Sequence, residues 1–349
     1  MWNVTLRNVQ FRRRQFLLAV IGTALVFAMA LLVTGIREGF RTEANRTLAG
    51  IGGDHWAVAS NGPGPFTGST PMPANTADRL RNSAGVRHAD RVVIGSQNVR
   101  IDGDFRGVHL IGHDVGGLGE PRPLEGRRSA AAGEAVVDEK LGLDLGQAFT
   151  IAGRRLMVVG VVADRTYYGG TPTAYLTLED AQAVSAKGSP LITAVVMQGR
   201  PQNALDGVRI MSKSQVQADL LRPLGTADQS INITRVLLWI VAAVIVGAVM
   251  YMSALERVRD FAVLKAVGGS TRSLVTSLAV EATVVCLVAA GLAIVVATLL
   301  RPTVPLPVTL TARTYATLPV VAVGVGVLAS LFGMRRAVRT DPALAFSGA

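Results

Sequence analysis

The chain has 349 residues, 50% of them hydrophobic and only 17% charged, with a formal net charge of +11. A soluble protein of this length carries about 25% charged residues, so the shortfall points to bilayer-embedded segments, and the apolar content excludes disorder. The basic excess admits a nucleic-acid surface or a membrane protein with basic cytoplasmic flanks, and its distribution along the chain decides between them. The single Cys286 lies in an apolar run, so no intrachain disulfide forms and a small buried side chain is expected.

Crossing about 30 Å of hydrocarbon takes ~20 helical residues, and four uncharged stretches are long enough. Residues 15–36 lie between Arg14 and Arg37, and 236–255 between Arg235 and Glu256. The third, 282–300, lies between Glu281 and Arg301 and is expected to begin near Ser273, so the segment is taken as 273–300. The fourth, 314–334, lies between Arg313 and Arg335. Arg12, Arg13 and Arg14 resemble the start of a signal peptide, but the apolar stretch behind them exceeds a typical h-region. An uncleaved anchor is expected.

Segments 1–15, 256–272 and 335–349 fall on one side if the spans alternate, and together carry +8 over 47 residues. Residues 37–235 carry +2 over 199. The positive-inside rule places both termini and the 256–272 loop in the cytoplasm. Residues 37–235 then lie outside, and 301–313, with Pro302, Pro305 and Pro307, form a short external loop.

The external segment is long enough for its own core. Strand-like runs at 56–59, 91–94, 107–112, 135–137, 148–151 and 156–162 are rich in valine and isoleucine and bounded by glycine or aspartate. Thr177, with Asp180 three residues on, begins a helix, and 61–73, with four prolines, is a loop. The fold class predicted is therefore four transmembrane helices with an α+β extracytoplasmic domain inserted between the first and second. Residues 38–48 continue helically out of the first span, and 213–221 approach the second before an interruption at Pro223 and Gly225. Such paired extensions form either a stalk that carries motion or ordinary connectors.

Several chemistries find no support. His109 and His113 have the spacing of helical zinc ligands, yet their surroundings are those of a strand running into a turn, so no metal site is predicted. HExxH, GxSxG and GxxxxGK[ST] patterns are absent, and the run Gly268-Gly-Ser-Thr-Arg272 lacks the lysine that reaches the β- and γ-phosphates. The chain is read as non-catalytic. Glu281 lies about 13 Å along the third helix from Arg272 and is an intramembrane candidate. Either a partner helix or an ion-coupling role would account for it, the first being favoured.

The most specific segment is the loop from Glu256 to Arg272. It predicts a short amphipathic helix over about 257–267, stopped by Gly268 and Gly269, with Ser270 or Thr271 capping the next helix. Val258, Ala262, Leu264 and Val267 supply an apolar side while Arg257, Arg259, Asp260 and Lys265 stay wet. A helix with an unsupported apolar side docks on a partner or lies flat at the headgroups.

This loop resembles the coupling-helix signature of the FtsX-like, MacB-type ABC transporter permeases. Arg257, Ala262, Leu264, Lys265, Ala266, Gly268, Gly269 and Ser270 match it, whereas Asp260 stands where glutamate is usual and Phe261 where isoleucine is common. The N-terminal segment 2–20, the C-terminal segment 335–345, and 135–162, similar to the family's extracytoplasmic core domain, extend the resemblance over nearly the whole chain. The resemblance implies a permease subunit working as a homodimer with two copies of a separate ABC ATPase. ATP and magnesium would be held by that ATPase, with no cofactor in this chain. It also implies a multi-pass protein of the bacterial plasma membrane, in contact with lipids and with an extracytoplasmic substrate or partner protein. Energy from ATP would drive export or mechanical work outside. Two other readings are a membrane-anchored sensor without an ATPase and an ABC importer of small solutes such as amino acids. With the charge assigned to topology, no nucleic-acid partner is expected.

Overall fold

The computed structural model describes residues 13–68, 70–101, 103–256 and 271–337. The chain separates into two compact units, one of residues Met1–Gly39 and Ala227–Ala349, the other of Phe40–Thr226.

Among the described residues, four helices are long and apolar enough to cross a membrane. They are α1 (Arg13–Ile51), α5 (Gly225–Glu256), α6 (Thr271–Leu300) and α7 (Ala312–Ala337). Phe27 and Leu31 of α1, Val246 and Met250 of α5, Ala289 and Ala293 of α6, and Ala322 and Ala329 of α7 share one buried cluster. Without a hydrophobic drive between helices in lipid, small residues that let backbones approach favour packing. The pair α6 and α7 shows this: a Cβ on Gly326 would stand 2.8 Å from the Thr283 Cα. Leu17, Leu25, Val244, Val288 and Leu328 point outward and are exposed, as lipid-facing side chains should be. Cys286 is fully buried, as expected.

The loop between α6 and α7 turns through a 3₁₀ segment, Arg301–Thr303, and returns along α1. Thr309 N donates to the Gly35 carbonyl over 2.9 Å. At the same outer end of α1, the Arg37 guanidinium grips Asp228 of α5 with two hydrogen bonds, Nη2 to Oδ2 at 2.9 Å.

The inserted unit is built on one large mixed sheet. Its strands are β1 (His55–Ala59), β3 (Val86–Ile101), β4 (Asp104–His113), β5 (Glu125–Gly126), β6 (Glu134–Asp138), β7 (Ala148–Ile151), β8 (Arg154–Val162), β9 (Thr166–Tyr167), β10 (Thr171–Thr177), β12 (Ala194–Gly199) and β13 (Val208–Ser212). The main path runs β13-β1-β12-β3-β4-β10-β6-β8-β5, while β2 (Met72–Pro73) and β11 (Leu191–Ile192) pair separately. Parallel pairings of β10 with β4 and of β6 with β8 need crossovers, which residues 114–170 and 139–153 supply, and the helix α3 (Leu178–Ala186) follows β10. Thr177 caps α3, accepting from Asp180 N over 3.3 Å, the position predicted for it. That helix lies so close to the sheet that a side chain at Gly112 would overlap Ala181. Helices α2 (Thr76–Arg81) and α4 (Lys213–Leu221) complete the unit, and Trp56, Leu80, Leu110, Ile151 and Leu176 fill its core. Each predicted strand run falls within an observed strand. The strands β10, β12 and β13 were not predicted.

Candidate functional site

The residues proposed to face an ATPase, Arg257 to Ser270, lie outside the described residues. Glu281 is described: it sits on α6 with 2% of its surface exposed, next to Ala282, Val285 and Cys286 of the bundle core. The carboxylate is therefore turned into the protein and away from lipid. His109 and His113 share β4, where alternate side chains share a face, and stand about 13 Å apart along it. They form no joint site.

A second place, which sequence reasoning missed, lies within the inserted unit, where residues 40–51 of α1 meet the 166–170 loop. Tyr168, Gly169 and Gly170 all have positive φ, at 42°, 80° and 103°. Successive residues of this kind turn their amides inward and make a cradle for an anion. The Glu43 carboxylate fills it: Gly169 N donates to Oε2 over 2.9 Å, Gly170 N to Oε1 over 3.1 Å, and the Thr166 hydroxyl also to Oε1. On the same helix face Thr47 donates to the Thr166 carbonyl over 3.3 Å, and Arg165 Nη1 to the Arg46 carbonyl over 2.9 Å. From α4, Gln217 Nε2 donates to Asn45 Oδ1 over 2.9 Å. Past these bonds α1 ends inside the domain core, with Leu48 and Ile51 each 1% exposed. Gly52 at φ 82° then turns the chain, its amide bonded to the Leu48 carbonyl over 3.1 Å.

Aromatic rings extend this joint. His109 lies flat against Tyr167, with ring centroids 3.9 Å apart, and Phe66 stacks beside both at 6.1 and 5.8 Å. The loop bearing Phe66 is tied down by Asp219 of α4, which accepts from Phe66 N over 3.0 Å and from the Thr67 hydroxyl. His109 is buried with neither ring nitrogen bonded, and burial lowers its pKa to about 3. The unfolded state therefore binds a proton that the folded state rejects between pH 6.5 and about 3, and stability falls as pH falls through that window. The slope is at most about 1.4 kcal/mol per pH unit from this one group. Urea unfolding of the full chain in detergent between pH 4 and 7 should show this loss, and His109→Leu should flatten it by about one proton.

Three comparisons bear on this arrangement. Residues 16–218 match the MacB-like periplasmic core domain, and residues 232–342 match the FtsX-like permease C-terminal family. The chain belongs to the FtsX-like ABC transporter permeases. An ABC transporter permease of Mycobacterium bovis is 40% identical over 98% of this chain and 98% of its own. A Staphylococcus haemolyticus permease named for hemin transport is 20% identical over 99% of each. The crystallised periplasmic region of MacB from Actinobacillus actinomycetemcomitans is 13% identical, over 47% of this chain and 91% of its own, with a TM-score of 0.35.

As an FtsX-like permease the chain is a membrane protein of a family that is generally non-catalytic, and an ABC permease implies an ATPase partner. The core-domain match takes in the first of the long helices, and the C-terminal match the other three. The joint at Glu43 thus lies within the MacB-like region, on the helix that also belongs to the membrane bundle.

Proposed function

We propose that this permease converts ATP hydrolysis by a separate ABC ATPase into mechanical work on the extracytoplasmic side, as a homodimer with two ATPase copies. The observation that carries this is α1. It is one unbroken helix whose Phe16, Phe27 and Leu31 belong to the bundle core and whose Leu48 and Ile51 belong to the core of the inserted domain. A rigid element packed at both ends transmits a rotation or shift that a flexible connector would dissipate. In this mechanism the ATPase dimer closes against the helix around Arg257, Arg259, Asp260, Ala262, Leu264, Lys265 and Ala266. Gly268, Gly269 and Ser270 turn that helix into α6, and the bundle moves α1, hence the 166–170 loop through Glu43.

The basic flanks support a cytoplasmic placement of both termini and of the 256–272 loop, in a bacterial plasma membrane. ATP and magnesium are assigned to the partner chain. Glu281, buried in the bundle, is assigned to helix packing. Export or work on an extracytoplasmic partner fits four spans and a large outer domain better than import of small solutes, and the family gives the sensor reading no support.

Reconstitution with the ATPase in nanodiscs tests the proposal: the permease should co-purify with it and change its ATP turnover several-fold. An ATPase whose rate is indifferent to this chain would overturn it.

A further inference from the structure

The rim of the bundle at which the inserted unit is connected carries more positive charge than its topology requires. Each of the four apolar stretches is bounded there by an arginine: Arg37 after the first, Arg235 before the second, Arg301 after the third and Arg313 before the fourth. The structure brings these ends together. Arg37 is bonded to Asp228 of α5, Arg235 follows Asp228 by about 10 Å along the same helix, and the loop from Arg301 to Arg313 is bonded through Thr309 N to the Gly35 carbonyl. Against four arginines the rim holds two acids, Glu38 and Asp228. All of these residues belong to the unit that contains the four helices.

Of the four arginines, Arg37 alone has a carboxylate partner among the described residues, and its two hydrogen bonds engage Asp228 fully. Arg301 and Arg313 are exposed. Arg235 is held in place. Its guanidinium lies over the Trp239 ring, 5.1 Å from the centroid, one turn further into the span. One of its five N–H donors is bonded, Nη2 to Asn232 Oδ1 over 3.1 Å, and the buried Nε has no partner. An arginine keeps its charge at the edge of hydrocarbon, so a counter-charge from outside the chain has to answer it. Protein does not cover this part of the helix, because α5 buries no side chain before Ala242.

We propose that this rim binds the phosphates of anionic phospholipids, with Arg235 as the main contact. The uncharged run 236–255 is about as long as the hydrocarbon is thick, so Arg235 stands at the phosphate level and Trp239 just below it, where tryptophan rings gather. Guanidinium nitrogens meet phosphate oxygens in parallel pairs of hydrogen bonds. A zwitterionic lipid brings its own cation beside Arg301 and Arg313, whereas an anionic lipid brings net negative charge to a rim with a basic excess. The positive-inside rule accounts for the basic segments at the opposite ends of the spans and not for these arginines. That the rim faces the outer leaflet rests on the proposed topology; the lipid contact itself does not.

Tryptophan fluorescence tests this. The chain has three tryptophans, Trp2, Trp56 and Trp239, and Trp56 is buried in the core of the inserted unit. In the full chain carrying Trp2→Phe, quenching by brominated lipids therefore reads the surroundings of Trp239. In phosphatidylcholine vesicles, brominated phosphatidylglycerol should be selected over brominated phosphatidylcholine about 5-fold, as one arginine at an anionic surface implies. Arg235→Gln should lower the selection to about 2-fold or less, and Arg235→Lys should keep part of it. Arg335→Gln, at the opposite end of α7, should leave it unchanged. Raising the salt should lower the parental selection. Inorganic phosphate added at constant ionic strength should not displace the lipid; displacement would assign the rim to a soluble anion and overturn the lipid assignment. The proposal also fails if the two lipids quench equally, if Arg235→Gln selects as the parent does, or if Arg335→Gln acts as Arg235→Gln does. No ATPase is present in these measurements, so their outcome is separate from that of the coupling proposal.

Discussion

Replacing Leu264 by aspartate is expected to abolish the effect of this permease on its ATPase while leaving the protein folded in the membrane. The sequence predicts Leu264 on the apolar side of a helix over about 257–267, the side proposed to meet the ATPase. A carboxylate forced into such a contact must be desolvated, and an unpaired charge there costs several kcal/mol. Because tenfold in affinity is about 1.4 kcal/mol, association should weaken by at least two orders of magnitude. Gly268→Pro should act differently. Proline fixes φ near −65° and cannot take the left-handed conformation that a glycine stop supplies, so the helix would be re-aimed and not repelled. ATP turnover and co-purification separate the two: L264D loses both, whereas G268P retains some association and loses the stimulation or restraint. Arg259→Ala, on the wet side, should change either by less than about 1 kcal/mol. Normal coupling in both L264D and G268P would refute the role given to this loop.

A change of one methyl group at Gly39 is expected to have the largest effect on stability. A Cβ at this position overlaps the Pro307 carbonyl of the loop returning between α6 and α7, and the obstacle is backbone, which cannot rotate away. One turn earlier, at Gly35, a Cβ would stand 2.7 Å from Val308 Cγ1 and 3.0 Å from Leu310 Cδ2. The loop is thus laid directly on α1 at two glycines and held there by Thr309 N on the Gly35 carbonyl. Gly39→Ala should cost about 1–3 kcal/mol through overpacking, more than offsetting the ~1 kcal/mol gained in helix propensity. Gly324→Ala in α7 is the matched control, because nothing lies within 4 Å of its Cβ, and it should be neutral or stabilising. Thermal unfolding in detergent reads the difference, and limited proteolysis within 301–313 should speed up only in the Gly39 variant. Equal midpoints for the two alanine variants would rule out the close packing of loop on helix.

These expectations draw unequally on sequence and structure. The four long helices, the insertion of one α+β domain and the family were legible in the chain because each rests on a local signal. Hydropathy sums over about 20 neighbouring residues, charge sums over short flanks, and the loop motif occupies 17 consecutive positions. Thr177 is legible for the same reason, since a cap is bonded three residues away.

The joint at Glu43 was not legible. Its partners Thr166, Gly169 and Gly170 are more than 120 positions away in sequence, and an acid on an exposed-looking helix extension has no pattern that marks it. Likewise β10 and β12 become central strands only because β4 and β3 lie beside them, pairings that cross 64 residues of chain or more. Pro172 and Gly199 at their ends weaken any strand signal that they carry alone. The sequence by itself therefore determined that this is a membrane permease with a domain set into it, because bilayer insertion is decided segment by segment. Only the tertiary structure decided how residues 40–51 of the first helix are bound into that domain through Glu43, because those contacts depend on distant segments meeting.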